Sequence, residues 1–179
     1  NLAMSSANPN VIYASTNQRL YRTADGGGEW EDVSEGLPSL TMTSVTASQL
    51  DADEVWVTFS GFSGGNKLYS SLDGGASWEN MSGNLPNIPT NCRALMDSED
   101  NAVYIGTDFG VYYKDDNLDG WESFNSGLPH VIVNEMMINT DAGKLVAATY
   151  GRGMWISDLW TTPSESPATA ASYNTAFVC

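Results

Sequence analysis

The chain has 179 residues and a formal net charge of −15, from 22 Asp and Glu against 7 Lys and Arg. Such a surface repels phosphate backbones and anionic headgroups, which excludes nucleic acid as the expected partner and leaves cations, basic proteins and neutral glycans. No apolar run approaches the ~18 residues of a membrane-spanning helix, and two cysteines, Cys92 and Cys179, are too few for a disulfide scaffold. No signal peptide is visible, and the opening on Asn1 is expected of a processed or trimmed chain. Asn80-Met81-Ser82 is a formal glycosylation sequon, a weak pattern at three residues.

In chain order, the first strand-like run is Val11-Ile12-Tyr13-Ala14, after the turn Asn8-Pro9-Asn10. It leads into 20–38, LYRTADGGGEWEDVSEGLP. The pattern then recurs. Ser44-Val45-Thr46-Ala47, the turn Asp51-Ala52-Asp53 and Val55-Trp56-Val57-Thr58-Phe59 precede 68–86, LYSSLDGGASWENMSGNLP. The turn Glu99-Asp100-Asn101 and Val103-Tyr104-Ile105-Gly106 precede 111–129, VYYKDDNLDGWESFNSGLP. Glu135-Met136-Met137-Ile138, Asp141-Ala142-Gly143 and Leu145-Val146-Ala147-Ala148 precede a fourth copy that breaks off after Gly153-Met154-Trp155-Ile156-Ser157-Asp158. The aromatic anchors Tyr21, Tyr69, Tyr112 and Trp155 are 48, 43 and 43 residues apart.

Each copy predicts four short strands, A to D, joined by tight turns. A four-stranded unit repeated at this period is an all-β propeller blade. A parallel β-helix has shorter turns and lacks the hairpin chemistry. The blades are expected over about 3–34, 41–82, 93–125 and 131–158 of a propeller region 1–160, the fourth without its D strand. Residues 161–171 have linker composition, small and polar with proline.

The C–D turns carry a further pattern. Asp accepts hydrogen bonds from its own turn, the glycines permit positive φ, and Trp folds back as the hydrophobic plug of the hairpin. Ser71-Leu72-Asp73-Gly74-Gly75-Ala76-Ser77-Trp78 resembles the Asp-box, or BNR repeat, throughout, and Thr23 to Trp30 matches at all but one position. Lys114 to Trp121 keeps Asp116 and Trp121 but loses the Ser/Thr and the central Gly. Asp-boxes occur in sialidases, sortilin-type receptors and xyloglucanase-like glycosidases. The resemblance implies that Asp25, Gly27, Trp30, Asp73, Gly75, Trp78, Asp116 and Trp121 are structural, on the face away from any active site. No metal or cofactor is expected.

Propellers of this resemblance close with six to ten blades, so the remaining blades are expected from the same protein or another chain; an autonomous four-bladed ring is the alternative. Residues 145–157 are similar to the last blade of propellers in large secreted proteins of gliding and polymer-degrading Bacteroidetes, where propeller, PKD modules and a C-terminal (type IX) secretion signal share one chain. Residues 172–179 are similar to the first strand of an Ig/PKD-like module. The implied location is extracellular or at the cell surface.

The B–C and D–A loops form the opposite end of the blades. There Phe62, Phe109 and Tyr150 are candidates to stack on a sugar, with packing between blades as the other role, and Lys67, Asp108 and Arg152 are candidate polar contacts. Asp108 and Arg152 occupy equivalent loops of adjacent blades and could form a salt bridge. His130, the only histidine, lacks a clustered partner and reads as a loop residue. Only four arginines, Arg19, Arg22, Arg93 and Arg152, argue against a sialidase, which needs three around a carboxylate. Asp108 or Glu35 could supply one glycosidase carboxylate, but no pair follows from spacing. The sequence thus favours a non-catalytic module that scaffolds or binds a glycan or protein, with part of a glycoside hydrolase as the alternative.

Overall fold

The computed structural model describes residues 1–96, 101–161 and 177–178. Fifteen strands and no helix occur among them. The first sheet holds β1 (Leu2–Met4), β2 (Ile12–Ser15), β3 (Leu20–Thr23) and β4 (Glu31–Asp32). The second holds β5 (Met42–Ala47), β6 (Val55–Phe59), β7 (Leu68–Ser71) and β8 (Glu79–Asn80). The third holds β9 (Thr90–Leu95), β10 (Val103–Thr107), β11 (Gly110–Lys114) and β12 (Glu122–Ser123). The fourth holds β13 (Val133–Asn139), β14 (Lys144–Thr149) and β15 (Met154–Asp158). Each is an antiparallel meander in chain order, so every sheet is a blade, I to IV, of a β-propeller. The first strands of successive blades approach one another and line the inner side.

Central strands β6 and β10 are buried at every position, on both faces, because a blade is flanked by two others. This is why they read as continuous apolar runs rather than as alternation. The core lies in three layers, each between consecutive blades. Tyr13, Leu20 and Val33 meet Val55, Val57 and Phe59; Trp56 and Leu68 meet Val103, Ile105 and Trp121; Tyr104, Val111 and Phe124 meet Val133, Leu145 and Phe177.

Trp30 and Trp78 fold back over their own turns, as expected from sequence, their rings lying against Gly27 and Gly75. Trp78 and Trp121 also reach the preceding blade, which the sequence did not indicate. The Trp78 indole N–H donates to the Val33 carbonyl at 3.0 Å, and Trp121 donates to the equivalent Met81 carbonyl at 3.0 Å. Gly75 sits under the same joint with φ +94°, and a Cβ there would lie 2.8 Å from Val33 Cβ. Trp30 makes no such joint among the described residues. It is 43% exposed, and its N–H has no partner among the described residues.

The chain end corrects another expectation. Val178 pairs antiparallel with Ile156 of β15. In the other blades the residue at the register position of Ile156 pairs with Glu31, Glu79 or Glu122, each directly after the plug tryptophan. Phe177 therefore occupies the tryptophan's place in blade IV. It is buried, packs edge-on against Phe124 at 5.5 Å, and its N–H donates to Ser126 O at 2.7 Å. Phe124 is the counterpart of Val33 and Met81, so the same joint is made without an indole. Phe177 and Val178, expected to open a separate module, supply the D position of blade IV. The rest of 172–179, and 162–171 of the expected linker, lie outside the described residues.

Among the described residues, two faces remain open. Blade I presents Leu2 and Met4, and blade IV presents Met137, Met154, Ile156 and Val178. Met154 occupies the position at which Leu20, Leu68 and Val111 are completely buried.

Trp78→Ala and Phe177→Ala are each expected to cost about 3–5 kcal/mol of stability, as large buried aromatics do. Trp30→Ala should cost no more than about 1 kcal/mol. Urea unfolding of the three variants checks this, and a neutral Phe177→Ala would remove the last joint from the account.

Candidate functional site

The end of the blades formed by the B–C and D–A loops is where the sequence places the site. Blade II's loop, 60–67, is the longest B–C connection, and Phe62 at its tip is 74% exposed. The loop is tied down rather than free. Asn66 accepts from the Tyr69 hydroxyl at 2.7 Å, and Asn80 Nδ2 donates to Gly65 O at 2.7 Å.

Lys67 does not belong to the surface of this site. Its side chain is completely buried, with Nζ donating to the Gly61 carbonyl at 2.6 Å. Burial pushes its ammonium pKa down. The inserted loop folds back over this ammonium, so Lys67 braces the loop from within. It cannot reach a ligand.

Phe109 and Tyr150 are 54% and 71% exposed. The D–A loop between blades III and IV links them. His130 lies beside Phe109, ring centroids 6.2 Å apart, and the Ile132 carbonyl accepts from Tyr150 N at 2.9 Å. Ile132 is itself partly exposed, giving a strip Phe109–His130–Ile132–Tyr150 across two blades. Among the described contacts, none joins Phe62 to it. The strip is rigid at both ends. Phe109 N donates to Thr107 Oγ1 at 3.1 Å, and the tight turn holding Tyr150 is closed by Thr149 N donating to Gly153 O at 3.0 Å.

The expected pair of Asp108 and Arg152 does not form. Asp108 accepts from Asn91 Nδ2 at 3.0 Å, and Asn91 is on β9 of its own blade. Arg152 is exposed, and its carbonyl accepts from the Trp155 indole at 3.0 Å. Three ion pairs occur among the described residues, Arg19–Asp32, Arg22–Asp53 and Lys144–Asp158, none on this strip. No group of three or more His, Cys, Asp or Glu among the described residues could hold a metal. No described helix is long and apolar enough to cross a membrane.

At the other end, the C–D turns are built by their carboxylates. Asp25 Oδ1 accepts from Thr23 Oγ1 and from the N–H groups of Gly28 and Glu29. Asp73 accepts from Ser71 Oγ, Ser77 N and Ser77 Oγ at 2.6–2.8 Å. The Ser77 hydroxyl and N–H, then the Ser71 hydroxyl, hold the Asp73 carboxyl down at about 2. Asp116, expected to do the same in blade III, does not. It accepts from Asn101 Nδ2 at 2.7 Å, and the neighbouring Asp115 takes the turn N–H of Asn117. Loss of the Ser/Thr at Lys114 explains the change, since a lysine offers no hydroxyl to orient that carboxylate. An unfilled cleft of about 300 Å³ also lies at this end, between blades II and III, where no sequence motif pointed to a site.

No family model matches the chain, and no curated protein does. Solved structures do. A GH74 enzyme from Niastella koreensis aligns with 98% of this chain at TM-score 0.66 and 13% identity, over 29% of its own length. The GH74 xyloglucanase from Xanthomonas campestris aligns with 96% at TM-score 0.63 and 14% identity, over 31% of its length. YCF48 bound to D1 peptide aligns with 88% at TM-score 0.58 and 19% identity, over 48% of its length. The likeness is one of fold. The chain is a set of β-propeller blades. It spans between about a quarter and a half of the chains it matches.

The Asp73 turn sets a pH dependence. A carboxyl whose pKa is lower when folded contributes stability fully above its unfolded value of about 4. That contribution is lost as pH falls through the folded value of about 2. Stability should therefore drop between about pH 4 and 2, and Asp73→Asn should flatten that drop in urea titrations at about pH 5 and 2.5.

Proposed function

We propose that the chain is a non-catalytic part of a larger propeller in a secreted or cell-surface protein, and that it binds a glycan or protein on the B–C face. The supporting observation is the exposed, backbone-anchored pair Phe109 and Tyr150 on adjacent blades. Aromatic faces held this way stack on sugar rings or on apolar side chains at little entropic cost. Arg152, exposed beside them, supplies a polar contact.

Catalysis by this piece alone finds no support on that face. A glycosidase needs two carboxyls about 5–9.5 Å apart across the scissile bond. Asp108 is held by Asn91, and Glu35 stands on the loop between blades I and II, with blade II between them. A second reading, a piece of a glycoside hydrolase whose catalytic pair involves other blades, draws on the fold shared with the two GH74 enzymes.

Further blades, from the same protein or another chain, would cover Trp30 with Leu2 and Met4 at one side and Met137 with Met154 at the other. The turns at Asp25 and Asp73 support the Asp-box reading, with that motif in a structural role. The Bacteroidetes-type grouping rests on the resemblance of 145–157.

A glycan array with wild type and Tyr150→Ala tests the proposal. Binding without hydrolysis, weakened at least about tenfold by the substitution, is expected for a loss of about 1.4 kcal/mol of stacking. Hydrolysis of a bound glycan would move the assignment to the glycosidase. No glycan signal, with a second chain capturing the B–C face, would make the ligand a protein.

A further inference from the structure

The three joints between blades have an equivalent cleft at the C–D end, and two of the three are filled from within the chain. The filler is the residue just after each aromatic anchor. Arg22, Ser70 and Tyr113 occupy one register position, paired across the sheet with Tyr13, Trp56 and Tyr104. Between blades I and II, the Arg22 guanidinium fills the cleft. It donates to Asp53 Oδ1 at 2.5 Å and lies so close to Gly74 that a Cβ there would be 2.9 Å from Arg22 Nε. Between blades III and IV, the Tyr113 ring fills it, stacked on Trp160 at 4.7 Å and 17°. Between blades II and III the filler is Ser70, and a cleft of about 300 Å³ is left, at the lower end of ligand-pocket sizes.

The cleft has an apolar floor and an acidic rim. Trp56, Met81 and Trp121 form the floor, with exposed Leu72 at its mouth. Four carboxylates line it against one cation. That cation, Lys114, donates its ammonium to the carbonyls of Asp115 and Leu118 at 3.0 and 2.9 Å. Glu54 accepts from the Trp56 indole, Asp116 from Asn101, and Asp115 from the Tyr113 hydroxyl. Glu79 directly faces Ser70 across the sheet, and its carboxylate has no hydrogen-bond partner among the described residues. The same joint already accepts a guanidinium on an indole. Arg93, from β9, lies 4.4 Å over the Trp56 ring.

We infer that this cleft binds the arginine side chain of a peptide or protein partner. A guanidinium is planar and weakly hydrated, stacks on aromatic faces and pairs with carboxylates, so it suits a floor of indoles with a carboxylate rim. The neighbouring joint shows an arginine presented from polypeptide in the same position. The partner's arginine would do at Ser70 and Glu79 what Arg22 does at Asp53. The cleft lies at the opposite end of the blades from Phe109 and Tyr150, so the two sites can be tested separately.

The test is a titration of the ¹⁵N-labelled protein with a capped pentapeptide carrying one central arginine between alanines and glycines. The readout is the indole N–H signals of Trp56 and Trp121. Both signals should move saturably, and citrulline in place of arginine should weaken binding at least about tenfold, the scale of a charge-assisted hydrogen bond. Ser70→Arg, which fills the cleft as Arg22 fills its own, should abolish binding while the other signals hold their positions. Should Ser70→Arg not fold, Glu79→Gln on an exposed strand should weaken binding about threefold or more. Equal binding of the citrulline peptide, or a folded Ser70→Arg (or, failing that, a Glu79→Gln) that binds like wild type, overturns the inference. Free arginine binding as tightly as the peptide would reassign the cleft to a small cation and overturn the polypeptide source.

Discussion

A blade of four short strands has two apolar faces and cannot bury either alone. Everything else in this structure depends on how one blade is fastened to the next. The fastening is a single large side chain at the start of strand D, laid on the end of the preceding blade's strand D. Trp78 and Trp121 combine area with direction, because each indole N–H donates to a main-chain carbonyl of the preceding blade. Phe177 keeps the area and drops the hydrogen bond, meeting another ring instead. The tight turns, the positive φ of Gly75 and the short Asp-to-backbone bonds all position this one side chain.

The division between structure and function in the molecule has the same origin. Positions that repeat are those that make the joint, so they carry no information about a ligand. Positions that differ between blades sit around the joint, at the two ends. At the B–C end they leave Phe109 and Tyr150 standing out of a braced surface. At the C–D end they vary the filler of a shared cleft from guanidinium to hydroxyl to phenol. Two features that look unrelated, an aromatic strip and an open cleft, are the same kind of event on opposite faces.

The strands are legible in the sequence because their signal is local: β-branched and aromatic runs bounded by turn formers, recurring at one period. The partner of each indole N–H is not, since Trp30 and Trp78 stand in nearly identical sequence, yet among the described residues only Trp78 meets a carbonyl of another blade. Lys67 misleads for a related reason. A lysine in a glycine-rich loop reads as solvent-facing, and only the path of the loop shows that its ammonium satisfies the Gly61 carbonyl inside. The partner of Asp108 is equally hidden, because Asn91 is a neutral residue in a strand, which a search for charge pairs passes over. The cleft at Ser70 does have a sequence signal. Arg, Ser and Tyr stand directly after the aromatic anchors of blades I to III, a sharp change of size at one position of the repeat.

Phe177 and Val178 enter blade IV from about twenty residues beyond its third strand. In the other blades the plug comes fewer than ten residues after its strand, so each can be completed soon after it leaves the ribosome. Blade IV has to wait. Until the chain has been made through Val178, β15 is paired only with β14, and Phe124 lacks the edge-on ring of Phe177. The order of synthesis therefore makes blade IV the last part of this chain to become stable, and the loop that carries Tyr150 and Arg152 acquires its final setting only then.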